Sequence, residues 1–566
     1  MRGPSLLPQL MKPAEPTLMN QIPWRRSGAG WRFGAVLIAA LVCLPVLALL
    51  LIAFQGSAGL WPHMLANVLP AALKNTVILL AGVGMLVTLI GTTTAWMVTA
   101  YDFPGRRVFE WALLLPLAVP TYIIAYAYLD ILHPVGAVQG ALRSLLGYSS
   151  PREFRLPDIR SMGGCILLLG LVLYPYVYLT TRAMFLTQAA NLVEVSRTLG
   201  TRRGSVFRRV ALPLARPAIA VGASLALMEA LNDIGASQFL GVRTLTPSIY
   251  STWVNRSDMP GAAQIALAML VIVVLLVLVE RYARRNQRYA AAAQRPRAMS
   301  PARLRGWRAA GAFCLCLFPV ALGFIAPAAY LCREAWKRVS FAGISPRIWG
   351  EIVNTVTVSA VATLLVLLSG LVLAYAARTY PGRSTSLAAR ASTLGYAVPG
   401  TVLAIGLLYP VGLFDRFWAG GVEWLIGAAP GLLLLGSGAA LVLAYSVRFM
   451  AISTGGIEAG FSRIPPSLDH AGRMLGRSSM GVFRSVHLPL SKTAIASAGL
   501  LVFVDCMKEL PATLLLRPLN FETLATHLYG EAARGTYEEA AIAALLIVLI
   551  GILPVVVLSR LGRVET

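Results

Sequence analysis

The chain has 566 residues, 57% hydrophobic and 13% charged, with a formal net charge of +25 and a mean hydropathy of +0.70. Soluble domains carry about 25% charged residues, so this composition excludes a string of soluble domains. The apolar material comes in runs of about 20 residues, the length of a spanning helix, which excludes a transmembrane barrel with its strands of about 10 alternating residues.

Residues 1–31 are proline-rich and polar and read as a cytoplasmic tail; no small-residue cleavage site follows the first apolar run. Twelve apolar runs then predict twelve spans, at 33–54, 73–99, 110–132, 163–186, 217–240, 261–280, 310–332, 352–377, 387–409, 430–452, 493–516 and 540–559. The arginines alternate with these spans. Nine lie in 281–308 and six from Arg197 to Arg216, and five basic residues precede the first span. By contrast 55–72 has none, 241–260 has Arg243 and Arg256, and 410–429 has Arg416. This is the positive-inside pattern, and it puts both termini in the cytoplasm even though 133–162 and 333–347 hold four basic residues each. The charge therefore reads as topology, with anionic lipid rather than nucleic acid as its counterpart. Cys43, Cys165, Cys314, Cys316, Cys332 and Cys506 lie in or beside apolar runs without metal-ligand spacing and read as small hydrophobes.

The chain repeats itself. "NTV" occurs at 75–77 and 354–356, "PGR" at 104–106 and 381–383, and "AVP" at 118–120 and 397–399. "MEALNDIGA" at 228–236 matches "DCMKELPA" at 505–512, and the offset stays between 275 and 279 throughout. Two six-helix halves are expected, 32–281 and 309–566, joined by a basic linker at 282–308. An even number of spans per half makes them parallel repeats about an axis along the membrane normal, with a pathway between them.

Each half also carries a charged, glycine-centred segment, "EVSRTLGTRRGSVFRRVALP" from Glu194 and "DHAGRMLGRSSMGVFRSVHLP" from Asp469. A short polar helix, a glycine suited to positive φ and a Leu-Pro at the start of the next span predict a helix–turn–helix on the cytoplasmic face. A lone copy reads as well as an amphipathic helix lying on lipid; two copies in register favour docking to a two-fold partner. The segments resemble the EAA loop of permease subunits of binding-protein-dependent ABC importers. Glu194, Gly200, Leu212 and Pro213 match in the first copy, and Ala471, Gly476, Leu488 and Pro489 in the second. Val195-Ser196 and Asp469-His470 depart from the pattern. The resemblance implies an all-α polytopic fold of about twelve helices and makes 190–216 and 458–492 coupling loops for an ATPase subunit, with Phe207 and Phe483 as apolar contact residues. No lysine follows a glycine, so a Walker A loop is excluded. The chain is expected to be a transport subunit without catalytic residues or a bound cofactor, with ATP and Mg on the partner.

Charges inside a membrane default to functional readings. Glu229 and Asp233 in the fifth span, and Asp505, Lys508 and Glu509 in the eleventh, superpose as acidic pairs spaced i, i+4 on one helix face, candidates for a pathway lining or gate, or else a polar helix contact. Gly235 and Pro511 follow as helix weakeners. The tyrosines of "YIIAYAYL" (Tyr122, Tyr126, Tyr128) and "YPYVY" (Tyr174, Tyr176, Tyr178) suggest ferric ligands, but interfacial anchoring is the favoured reading. "PLAVPTYIIAYAYLDIL", "KELPATLLLRPLNFETLATHLY" and "YEEAAIAALLIVLIGILP" resemble ferric-iron importer permeases, which implies iron handed over by an external binding protein, two ATPase copies, and residence in a bacterial inner membrane. No metal-ligating residue is assigned. Thiamine, polyamine and phosphonate permeases stay open as alternatives, as does an ion-coupled secondary transporter or a docking scaffold.

Overall fold

The computed structural model describes residues 29–56, 59, 61–186, 203–284, 301–428 and 430–564. In the first half the helices are α1 (Ala29–Phe54), α2 (Trp61–Ala100), α3 (Arg106–Ala118), α4 (Thr121–Ile131), α5 (Ala137–Leu146), α6 (Met162–Met184), α7 (Phe207–Asn232), α8 (Gly235–Phe239), α9 (Leu245–Val254) and α10 (Met259–Arg284). The second half has α11 (Trp307–Ala342), α12 (Arg347–Thr379), α13 (Arg383–Ala397), α14 (Gly400–Ile426), α15 (Ala439–Ser462), α16 (Pro466–Met474), α17 (Ser479–Met507), α18 (Pro511–Leu516), α19 (Leu524–Arg534) and α20 (Tyr537–Val564). Among the described residues eleven helices are long and apolar enough to span, or twelve counting α3 and α4 as one bent pair. The protein is an all-α polytopic chain of two six-helix repeats.

Four expected spans are not continuous. The run 110–132 breaks before Pro120, and α3 and α4 meet at 90°; Val119 is extended there, as a residue before proline prefers. The run 387–409 breaks at the equivalent Val398-Pro399, and the span is α14, Gly400–Ile426. The runs 217–240 and 493–516 end early, at Asn232 and Met507, and the short helices α8 and α18 follow.

Proline also shapes the helices that do continue. Four π turns, Met64–Val68, Phe207–Ala211, Ala321–Ile325 and Phe483–His487, each end two residues before a proline: Pro70, Pro213, Pro327 and Pro489. Proline has no N–H and its ring crowds the carbonyl four residues back, so widening that turn lets the helix run on. The chain therefore passes straight through both Leu-Pro sites instead of stopping there.

The first helix of each half packs on the other half. Helix α1 lies against α12, α13 and α14, while α11 lies against α2, α3, α4 and α6 as well as α20. Tyr128 donates to the Leu322 carbonyl at 2.7 Å and Tyr330 to Asp130 at 2.8 Å across this exchange. The tyrosines expected at the membrane interface are inside the protein: Tyr122, Tyr126, Tyr128, Tyr174 and Tyr178 are buried. All five fill the core, and Tyr122, Tyr128 and Tyr178 donate to backbone carbonyls, Tyr178 to that of Glu110 at 3.0 Å.

The repeated "NTV" does the same task twice. Asn75 donates to the Arg243 carbonyl and Asn354 to the Glu522 carbonyl, both at 3.0 Å. Thr76 accepts from the Leu245 amide at 3.0 Å, and Thr355 from the Leu524 amide at 2.9 Å. In each half, span two thereby holds the start of the helix that follows short helix α8 or α18, namely α9 or α19.

Candidate functional site: an acidic cavity between the halves and the segments beneath it

The second charged segment is fully described. Helix α16 ends in a Schellman motif: the Arg477 amide donates to Gly472 O at 3.1 Å and the Gly476 amide to Arg473 O at 2.9 Å. Gly476 has φ +73°, the positive value expected of it. The face of α16 turned away from the protein carries Leu468, Ala471, Met474 and Leu475, all exposed, Met474 at 89%. An apolar stripe left open on a short polar helix suits a docked partner or a lipid surface.

The opposite face is anchored. Arg378, at the end of α12, donates to Asp469 Oδ2 from Nε at 3.1 Å and Nη2 at 2.9 Å, and also holds the carbonyls of Phe461 and Ile464. His487 Nε2 lies 2.9 Å from the other Asp469 oxygen. Asp469 thus points into the protein. Phe483 is likewise buried, against Trp31 at 5.4 Å and Tyr375 at 4.9 Å between ring centroids, while Leu488 and Pro489 open the spanning part of α17. In the first copy Glu194 and Gly200 lie outside the described residues. Phe207 packs on Trp96 at 5.2 Å, the counterpart of Phe483, and Leu212 and Pro213 sit in α7 as Leu488 and Pro489 do in α17.

Glu229, Asp233, Asp505, Lys508 and Glu509 come together. They line one cavity of about 100 Å³ between the halves, with Tyr122, Tyr176, Asn232 and Arg448. Four acids and two bases leave the lining at a formal charge of −2. The acids do not form i, i+4 pairs on one helix face, because α7 stops at Asn232 and α17 at Met507. The second acid of each pair lies past its helix and satisfies the open amides of the short helix beyond. Asp233 accepts from the Ser237 amide at 2.8 Å and the Thr121 hydroxyl at 2.5 Å. Glu509 accepts from the amides of Ala512 and Thr513, both at 3.0 Å, and from the Thr513 hydroxyl at 2.7 Å. Carboxylates at helix N-termini are stabilised there by those N–H groups and the helix dipole. Asp505 pairs with Lys508 at 2.8 Å.

Three residues of this site were not singled out from the sequence. Arg448, on α15, donates to Glu509 at 3.0 Å and to Asn232 of the first half at 3.3 Å. Asn232 also accepts from the Gly400 amide at 2.7 Å. A lone arginine inside the apolar run 430–452 was a readable signal. Gly400 was marked only by standing after the second "AVP" where the first half has Thr121, and a neutral asparagine carried no signal.

A second cavity, of about 520 Å³, lies beyond α18, among Arg338, Arg347, Arg517, Arg534, His527 and Glu351, Glu522, Glu531 and Glu539. His527 Nδ1 lies 2.9 Å from Glu351 Oε1. Burial pulls the imidazole pKa down, but the Glu351 bond and the charges of Glu351, Glu531 and Glu522 outweigh it and leave the pKa above 6.5. Among the described residues no three His, Cys, Asp or Glu side chains converge as a metal site.

The chain matches the family described as "binding-protein-dependent transport system inner membrane component" over residues 24–289 and 366–562. It is 25% identical over 529 residues to the Fe(3+)-transport system permease protein FbpB 2 of Haemophilus influenzae, covering 93% of this chain and 97% of that protein. It is 25% identical over 505 residues to a probable ABC transporter permease, y4fN, of Sinorhizobium fredii, covering 85% of each. A putative 2-aminoethylphosphonate transport system permease, PhnU, of Salmonella paratyphi A is 30% identical over 187 residues, covering 32% of this chain and 64% of that protein. A family match over both halves, on a twelve-helix repeat with a cavity at its centre, makes this chain a member of the inner membrane components of binding-protein-dependent transport systems, a fused double-length ABC importer permease.

Proposed function

We propose that this permease carries ferric iron from an external binding protein into the cytoplasm, through the cavity lined by Glu229, Asp233, Asp505, Lys508 and Glu509. The observation that carries the reading is the net negative lining at the junction of two repeats, which favours a cation over an oxyanion such as a phosphonate. The near full-length likeness to an Fe(3+)-transport permease supports it, against partial coverage of the phosphonate permease.

In this reading 32–281 and 309–566 are the moving halves, joined by the basic linker 282–308, with both termini cytoplasmic as the arginine distribution favours. Two ATPase copies seat on the loops 190–216 and 458–492, and the exposed stripe of α16 is one of the two seats. Drawing those loops together on ATP binding turns the halves outward; hydrolysis returns them. The test is reconstitution with the cognate ATPase and binding protein, measuring uptake of labelled ferric iron against thiamine, a polyamine and 2-aminoethylphosphonate. ATP-dependent uptake of iron alone is expected. Uptake of another of these solutes with none of iron would replace the cargo, and uptake without any ATPase would remove the coupling scheme.

A further inference from the structure

One wall of the cavity carries a polar contact between the halves that the pseudo-two-fold does not repeat, beside the bonds from Tyr122 to the Lys508 carbonyl and from Tyr529 to Gln238, which also cross between them. Asn232 sits at the end of α7, 7% exposed, and its side-chain oxygen takes two N–H donors from the other half: the Gly400 amide at the start of α14 and the Arg448 guanidinium on α15. Arg448 is 8% exposed and held from behind by Glu509, itself 4% exposed. The three lie beside the short helices α8 and α18, whereas Glu229 and Asp505 lie one turn nearer the coupling segments.

The repeat explains why this contact has no counterpart. The position after each "AVP" is Thr121 in the first half and Gly400 in the second. Thr121 reaches Asp233 in its own half with its hydroxyl. Gly400 has no side chain, and the gap is occupied by Arg448: a Cβ on Gly400 would overlap Arg448 Nη1 and lie 2.7 Å from Glu509 Oε1. Asn232 aligns with Lys508, which turns its ammonium to its own Asp505 instead of crossing.

We propose that Asn232, Gly400 and Arg448 form a latch that helps keep the halves joined on the α8–α18 side of the cavity and so biases the resting state of the transporter. This rests on reading the cavity as the translocation pathway. Loss of the Asn232 oxygen leaves the Arg448 guanidinium bonded within its own half, to Glu509, and removes its buried hydrogen bond across the halves, so loss of the latch shifts the population toward halves parted on that side. Two substitutions break it differently. Asn232→Ala removes the acceptor; Gly400→Ala keeps all three polar partners and displaces Arg448 by a methyl group.

The experiment places a cysteine at Glu229 (Glu229→Cys) in the full chain and measures its reaction with a membrane-impermeant maleimide. Right-side-out and inside-out vesicles are compared, with the parental chain as background. With the latch intact, labelling is expected from the coupling-segment side only. Adding Asn232→Ala or Gly400→Ala is expected to raise labelling from the opposite side about tenfold or more, with labelling from the coupling side retained as the sign of an intact fold. Unchanged opposite-side labelling in both variants would overturn the latch and leave the pathway standing. No labelling from either side in the latched chain would instead overturn the pathway reading, and the latch with it.

Discussion

Gly476 offers a way to separate backbone geometry from surface contact at α16, the proposed ATPase seat. A Cβ there meets no atom within 4 Å, so a substitution clashes with nothing in the protein. What it disturbs is the φ of +73° that lets Gly476 close the Schellman motif of α16. An L-residue held in that region costs about 1–2 kcal/mol, and asparagine is among the few that tolerate it. At 1.36 kcal/mol per tenfold, Gly476→Val is expected to lower the ratio of correctly turned to unturned segments by about 5–30-fold. Gly476→Asn is expected to keep most of it. The assay is co-purification with the ATPase subunit together with ATP-driven uptake in proteoliposomes, at equal amounts of inserted permease. The expected order is Gly, then Asn, then Ala, with Val last. If Asn and Val impair coupling equally, the backbone argument fails and the position acts through the size of its exposed surface.

Glu509→Gln leaves Arg448 buried without its charge partner and is expected to lower stability by about 3–5 kcal/mol. Asp505→Asn, at a half-exposed pair, costs less, and adding Arg448→Met to Glu509→Gln recovers part of the loss; thermal unfolding of the three variants checks this. Asn75→Ala and Asn354→Ala each remove one bond of the same length in the same place and are expected to cost about 1 kcal/mol apiece, so markedly unequal melting shifts would sink the equivalence. His527 gains a partner on folding and its pKa lies above 6.5. Its stabilisation is therefore complete below pH 6.5 and lost as pH rises through the raised value. Proteolysis of the α19 region is expected to quicken on that rise, and His527→Gln is expected to flatten the dependence.

What the sequence made legible is what composition sets and what the two halves do alike. Spanning runs are a property of composition, and the halves show as repeats because Asn75 and Asn354 make the same bond, 168 residues along the chain, and Pro120 and Pro399 interrupt the same expected span. The breaks after Asn232 and Met507 were not legible. Glu229–Asp233 and Asp505–Glu509 have helical spacing, and only the bonds from the Ser237 amide to Asp233 and from the Ala512 and Thr513 amides to Glu509 show the second acid serving a new helix. The tyrosines misled for a related reason. An aromatic cluster near a loop has the same pattern at an interface as inside a core, and the bend at Pro120 is what folds α4 inward.

Fusing two permease halves in one chain frees each half to change alone, and the structure records where that has happened. Glu351 and His527, joined at 2.9 Å, occupy the positions of Ala72 and Ser248 in the first half, in the frame set by the two asparagine pins. Gly400 and Arg448 replace what Thr121 does for Asp233. Each change adds charge to the second half and none to the first, so one cavity wall offers Glu229 and Asp233 while the facing wall is largely self-neutralised by Arg448 and Lys508. A cation passing between the halves therefore meets an uneven field and leans toward the first. Neutralising Glu229 should then slow uptake more than neutralising Asp505, its counterpart in the repeat, and equal effects in the reconstituted system would show that the walls act alike.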